Sequence, residues 1–373
     1  MSISSDTSLT QITEDIFETL RSSRTSRLPD DNLPLQEVSS FTISKNNYNY
    51  DYAPPEDNAS NHSIQTTRSR ISKFGHECSQ ILHQKILSIK NYSAINHELY
   101  NSEEMPERFQ IPHISNFYQP PTKSSRKCFK QIFKLHNQTG NIWTHLLPSL
   151  IFLYSILQHQ AVSNYYYTNP SLDKMILTFY KTTVFLCFTG SWIYHSHWCH
   201  ENLQGTCRIV DINGIIVMYS GSSIVWVYYV FYCSKYWQLF YIIAMFVLCS
   251  AVVIQNSFGL LKNHRLASCF LIVALCFSIF IPLIHLLVMH DNFQFIWNKA
   301  RYSYLVWSFC FYIGSVVFYC TRFPERCFPG VFDLFFHSHQ IFHVGVVFGC
   351  YFHLLGVMKL QEDLYKEGMF CKY

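Results

Sequence analysis

The stretch Ile209–Phe231 reads IVDINGIIVMYSGSSIVWVYYVF and holds a single charged residue, Asp211. At about 1.5 Å of rise per residue, a helix of this length crosses the hydrocarbon core of a bilayer, which is about 30 Å thick. The run is continuously apolar rather than alternating, which excludes a strand of a membrane barrel, and an open sheet cannot stand in lipid. Further apolar segments of similar length lie on either side, at 142–160, 176–196, 236–257, 267–289, 302–321 and 332–357. Short connections join them. The sequence therefore predicts an all-α membrane protein, a bundle of seven transmembrane helices.

Composition divides the chain in the same place. Of its 373 residues 14% are charged and 17% aromatic, against roughly 25% charged in soluble domains. Residues 1–135 carry 15 basic and 15 acidic residues, leaving 13 and 9 for the remaining 238. That remainder has too few charges to cover a water-soluble domain. The net charge of +4 excludes a nucleic-acid binder, which needs a dense basic surface. The first residues, MSISSDTSLTQITEDIF, show no basic stretch followed by an apolar run, so no signal peptide is expected.

Four regions follow. Residues 1–95 are rich in Ser, Thr, Asn and Asp and read as a low-structure cytoplasmic region, with one amphipathic helix feasible over 78–100. Residues 96–135 form a juxtamembrane segment in which Lys123, Arg126, Lys127, Lys130 and Lys134 alternate with Phe129, Ile132, Phe133 and Leu135, the pattern of a basic helix at a membrane surface. Residues 136–360 are the membrane domain, and 361–373 a short tail. With the N-terminus inside, the inner flanks hold ten basic residues and the outer flanks seven. The five before the first span carry most of that bias, so we expect a cytoplasmic N-terminus and an extracellular or lumenal C-terminus, in the plasma membrane or an endomembrane. Lys181 is expected to snorkel to the outer interface.

Ionisable residues inside membrane spans are functional candidates by default. His195 closes the second segment, Asp211 opens the third, and His339 and His343 lie early in the seventh. Alternating topology sets all four at one depth, near the cytoplasmic leaflet. His339 and His343 are four residues apart, which puts both imidazoles on one helix face. Alone, such a pair is more often packed or hydrogen-bonded than metal-bound. A third histidine and a carboxylate at the same level tip the reading to an intramembrane zinc site, with His195, His339 and His343 as ligands and Asp211 binding directly or holding a bound water. The open fourth position and the membrane depth tilt the reading slightly toward catalysis, although a zinc ion can also be structural. The 14 cysteines include no C-x-x-C pair. Those inside apolar segments read as small core hydrophobes.

Three blocks around these residues resemble the progestin and adipoQ receptor family, and within it the adiponectin receptors. The first runs from Lys130-Gln-Ile-Phe-Lys-Leu-His136 into Thr139-Gly-Asn-Ile-Trp-Thr-His145-Leu-Leu. The second runs from Ser191-Trp-Ile-Tyr-His195 through Cys199-His200 to Asp211-Ile-Asn-Gly214. The third is Pro324-Glu-Arg-Cys-Phe-Pro-Gly-Val-Phe-Asp333 followed by Ser338-His-Gln-Ile-Phe-His343-Val. Together they span about residues 97–362, in the family's order. The resemblance implies a seven-helix zinc protein with a cytoplasmic N-terminus, the same three histidine ligands, and Asp211 on the zinc-bound water. It further implies ceramidase-type hydrolysis of a lipid amide, with ceramide or free fatty acid as membrane ligands, an extracellular adiponectin-like protein ligand, a cytoplasmic adaptor on the N-terminal region, and signalling to lipid metabolism. The alternative is a receptor or membrane-homeostasis sensor whose zinc is purely structural. One departure stands out: Gln138 occupies a position where the family commonly has Glu, which keeps the hydrogen-bonding shape and loses the charge.

Overall fold

In the computed structural model, residues 99–161, 170–260, 271, 274, 275, 277–290, 294, 297 and 301–367 are described. Among them the chain is helical, with no strand beyond two isolated bridges, Tyr100–Tyr118 and Thr122–His200. A short helix α1 (Ser125–Gln131) leads into α2 (Thr139–Ala161), α3 (Pro170–Ser196), α4 (Gln204–Val230), α5 (Lys235–Phe258), α6 (Phe280–His290), α7 (Tyr302–Thr321) and α8 (Ser338–Glu367). Helices α2, α3, α4, α5, α7 and α8 are long and apolar enough to cross a bilayer. The chain reads as an integral membrane helix bundle. Of the fifth predicted segment, 267–289, the described residues include helical positions 271, 274, 275 and 277 and the helix α6. The stretch expected to form a basic surface helix contains α1, which is shorter than the charge pattern suggests. The expected N-terminal region 1–95 lies outside the described residues. So does the helix expected over 78–100, except for its last two positions, Leu99 and Tyr100, which are not helical.

Helix ends follow local chemistry. Gly259 ends α5 in the left-handed conformation (φ 60°), its N–H donating to the Gln255 carbonyl at 2.8 Å, the arrangement in which glycine avoids a Cβ clash. The seventh predicted segment begins at 332, but α8 starts at Ser338 and runs on to Glu367, past the predicted domain end at 360. Phe336 has a left-handed backbone (φ 65°), which no right-handed helix accommodates. The Gln340 side chain holds that turn, accepting from Phe336 N–H at 2.7 Å and donating to the Leu334 carbonyl at 2.9 Å. An apolar window registers the phenylalanines and not the backbone.

Helix α8 packs against α7, α2 and α4, and α2, α3, α4 and α5 pack successively. The core joins Tyr180, Val184 and Phe188 of α3, Val225–Phe231 at the end of α4, and Cys350, Val357 and Leu360 of α8. Polar groups cross it in pairs. Tyr180 OH donates to the Cys350 carbonyl at 3.1 Å and Ser308 Oγ to the Gly349 carbonyl at 2.8 Å. Gly214 lets α3 and α4 approach: a Cβ there would lie 3.0 Å from the Cys187 Cα, the small-residue contact common in membrane bundles. The outward faces are apolar, including Leu150, Ile151 and Leu157 of α2 and Ile243, Phe246 and Val247 of α5. Lys181 departs from the snorkelling expectation. It is 7% exposed, and its Nζ donates to the Ser155 carbonyl at 3.4 Å, because its place on α3 faces α2.

Residues 99–122 form a cap on the histidine-bearing end. Met105, Phe109, Ile114, Tyr118 and Cys199 make a small core of their own. Trp198 Nε1 donates to the Phe109 carbonyl at 2.9 Å. Asp333, in the loop before α8, accepts from Ser115 N–H at 3.1 Å and Asn116 Nδ2 at 2.8 Å. Burial raises the Asp333 carboxyl, and those donors pull it back. Burial also pushes the Tyr118 phenol up to about 12, so it stays a donor, to the Ile114 carbonyl at 2.9 Å.

Candidate metal centre

His195 sits in the last turn of α3, and His339 and His343 in the first turns of α8. Their ring centroids form a nearly equilateral triangle with sides of 4.9, 4.8 and 4.7 Å. One nitrogen from each ring lies within 4.8 Å of the others. His195 and His343 are buried and His339 is half-buried. The three imidazoles could hold a metal ion.

The surrounding acceptors decide which nitrogens point inward. His195 Nδ1 lies 2.8 Å from Gln138 Oε1. That oxygen also accepts from Asn141 Nδ2 at 2.8 Å, which fixes the amide with its oxygen toward the histidine. His195 therefore carries its proton on Nδ1 and leaves the Nε2 lone pair free. His343 Nδ1 lies 3.1 Å from the Asn141 carbonyl and 3.2 Å from Thr144 Oγ1, whose own proton goes to the Gly140 carbonyl at 2.7 Å. It too donates from Nδ1. His339 Nε2 lies 3.2 Å from His195 Nε2. Tetrahedral zinc with bonds of about 2.0–2.1 Å sets two ligand nitrogens about 3.3 Å apart. The three imidazole donors, the two assigned tautomers and this one spacing suit zinc, and the other pairs, within 4.8 Å, would close further around the ion.

Asp211 lies two turns into α4, outside the cluster of three. Its carboxylate stands beside Ser191, which precedes His195 by one turn, with Arg208 farther off. The structure thus brings the three histidines together and sets Asp211 on the adjoining seam between α3 and α4. Gln138, Asn141 and Thr144 are supporting residues that spacing does not reveal. Gln138 is visible in the sequence only as a departure from the family's Glu. His145 adjoins the cluster: its ring stacks on His343 at 3.8 Å between centroids and 3° between planes. The rule that flags ionisable groups within spans applies to it as well.

Residues 133–354 match the model of the haemolysin-III-related family. The chain belongs to that family. Among curated members, it is 30% identical to progestin and adipoQ receptor-like protein 1 of Caenorhabditis elegans, over 73% of this chain and 62% of that protein. It is 30% identical to the adiponectin receptor protein of Drosophila melanogaster, over 67% and 57%, and 30% identical to the ADIPOR-like receptor IZH2 of Saccharomyces cerevisiae, over 71% and 84%. The matches thus span less than two thirds of the first two relatives. The haemolysin-III-related region runs from α2 to the first half of α8, and so includes all three histidines. This is an adiponectin- and progestin-receptor-like membrane protein.

Proposed function

We propose that this chain is a seven-span signalling protein of the adiponectin-receptor type that regulates lipid metabolism and hydrolyses a lipid amide of the ceramide class with zinc. The observation that carries the reading is the convergence of His195, His339 and His343, two of them with Nδ1 protons tied to fixed acceptors. The site would take zinc, which when bound would supply a Lewis acid for the amide carbonyl and lower the pKa of water. The three histidines hold it as neutral imidazoles, and Gln138, Asn141 and Thr144 keep two of the rings turned inward. Asp211 would hold the attacking water, take its proton on the carboxylate and pass it to the amide nitrogen as the C–N bond breaks, so that an amine and a fatty acid leave. The apolar faces of the bundle admit the acyl chains from the bilayer.

The seventh span is completed by the segment that contains α6. The N-terminus lies in the cytoplasm, where it meets an adaptor, and the C-terminus lies outside. The five basic residues before α2 support this orientation. So does Cys233, which is disulfide-bonded in the turn between α4 and α5, away from the histidines, since disulfides persist on the oxidising side of a membrane. An adiponectin-like protein ligand would meet that outer face, in keeping with the name of the Drosophila relative. A second reading is a receptor with structural zinc, favoured by the way one ligand from α3 and two from α8 tie two helices together.

Purified zinc-loaded chain incubated with ceramide should release free fatty acid, and His339→Ala should abolish the release. Equal release by the variant defeats the zinc mechanism. No release by the zinc-loaded wild type, with zinc removal still lowering its melting temperature, selects the structural reading.

A further inference from the structure

His145 is 3% exposed, and neither ring nitrogen has a hydrogen-bond partner. The ring stacks on His343 at 3.8 Å between centroids, and the Phe188 ring lies tilted against it at 4.7 Å. His343 covers one ring face, and both nitrogens lie on the ring edge, where a further group would meet them. The carbonyl of His343 approaches that edge without reaching hydrogen-bonding geometry. A buried polar group left without a partner costs about 1–3 kcal/mol, and such a group in a folded protein calls for an explanation.

Its location supplies one. Asn141, whose carbonyl receives His343 Nδ1, lies one turn earlier on α2. His145 is therefore next to the metal centre on the side facing the middle of the bundle, away from the cap. A lipid with its carbonyl at the histidine cluster would have its remaining polar groups beside this edge. A neutral imidazole offers one donor and one acceptor. An amide or a hydroxyl offers the complement of both, and an alkyl chain offers neither.

We propose that His145 is a substrate-binding residue that hydrogen-bonds the amide or hydroxyl headgroup of the lipid beside the metal centre. The inference rests on the lipid-amide reading above and names the residue that recognises the headgroup. His145 holds no metal: both of its nitrogens lie outside the cluster of three ligands.

The test reads binding ahead of turnover: bound lipid is counted as intact ceramide, at times short against any release of fatty acid. Full-length zinc-loaded chain in lipid nanodiscs is titrated with tritiated C16 ceramide, and zinc content is measured on the same samples. His145→Phe keeps a stacking ring and removes both nitrogens; His145→Gln keeps a donor and an acceptor. Phenylalanine should weaken ceramide binding about tenfold, the effect of one lost buried hydrogen bond, with zinc retained, and glutamine should restore most of the affinity. Wild-type affinity in His145→Phe overturns the proposal, since the edge is then satisfied by water alone. Loss of zinc in step with loss of binding in both variants also overturns it, because His145 would then act through His343. A wild type that binds ceramide and does not cleave it defeats the hydrolase, while the same comparison still decides the role of His145. A wild type that binds no ceramide overturns both.

Discussion

Helix α8 carries two kinds of buried histidine. His353 is buried near the middle of the helix, and its Nε2 lies 3.0 Å from the Ser222 carbonyl of α4. It is a satisfied core residue that ties two helices together. Ten residues earlier, His343 commits Nδ1 to α2, and its ring turns toward two other imidazoles. Residue type, helix and burial are the same. What differs is the direction of the remaining lone pair. In a membrane interior, a polar group that finds a protein acceptor is part of the scaffold, whereas lone pairs converging on one point could hold a cation.

The contrast is most directly broken at the ligands. His339→Ala with His343→Ala should reduce zinc from about one per chain to none, measured by mass spectrometry of the purified protein, whereas His353→Ala should keep it. Zinc removal from the wild type should lower the melting temperature by on the order of 10 °C, since a ligand at about 1,000 times its dissociation constant adds about 4 kcal/mol. The double variant should be insensitive to the chelator. Zinc retained by the double variant would mean that the triad is merely a packed cluster.

The spans and the three histidines are legible in the sequence because each rests on a local signal: a long apolar run, or an ionisable residue where lipid forbids one. The supporting contacts are not. Gln138 and His195 are 57 residues apart, and Asn141 and His343 are 202 apart, so only the packing of α2 against α3 and α8 reveals them. Lys181 fails for a related reason. Hydropathy gives its depth, but helix rotation decides whether its stem reaches the interface or faces α2. The start of α8 escapes an apolar window because the left-handed turn at Phe336 leaves no mark on hydropathy.

Gln138 sharpens the comparison with an effect of intermediate size. Gln138→Leu leaves the His195 Nδ1 proton without its acceptor, and loss of such a supporting bond typically weakens a metal by about 10–100-fold. Gln138→Glu keeps an acceptor at the same place and should hold zinc at least as tightly as the wild type. Competition with a chelator of known affinity measures both. Equal affinity in the leucine variant would show that helix packing alone orients His195.

The smallest effect is expected at the other end of α8, where polar groups are already paired. Arg301 donates to Asp363 through Nε at 2.6 Å and Nη2 at 2.8 Å. Two parallel bonds make this a strong geometry, but the arginine is 36% exposed, so water screens much of the attraction. Asp363→Asn keeps one acceptor and loses the charge. It should lower the melting temperature by a few degrees, corresponding to about 1 kcal/mol, and leave zinc content unchanged. A loss of zinc in Asp363→Asn would mean that the two ends of α8 are coupled and that the division between scaffold and site is wrong.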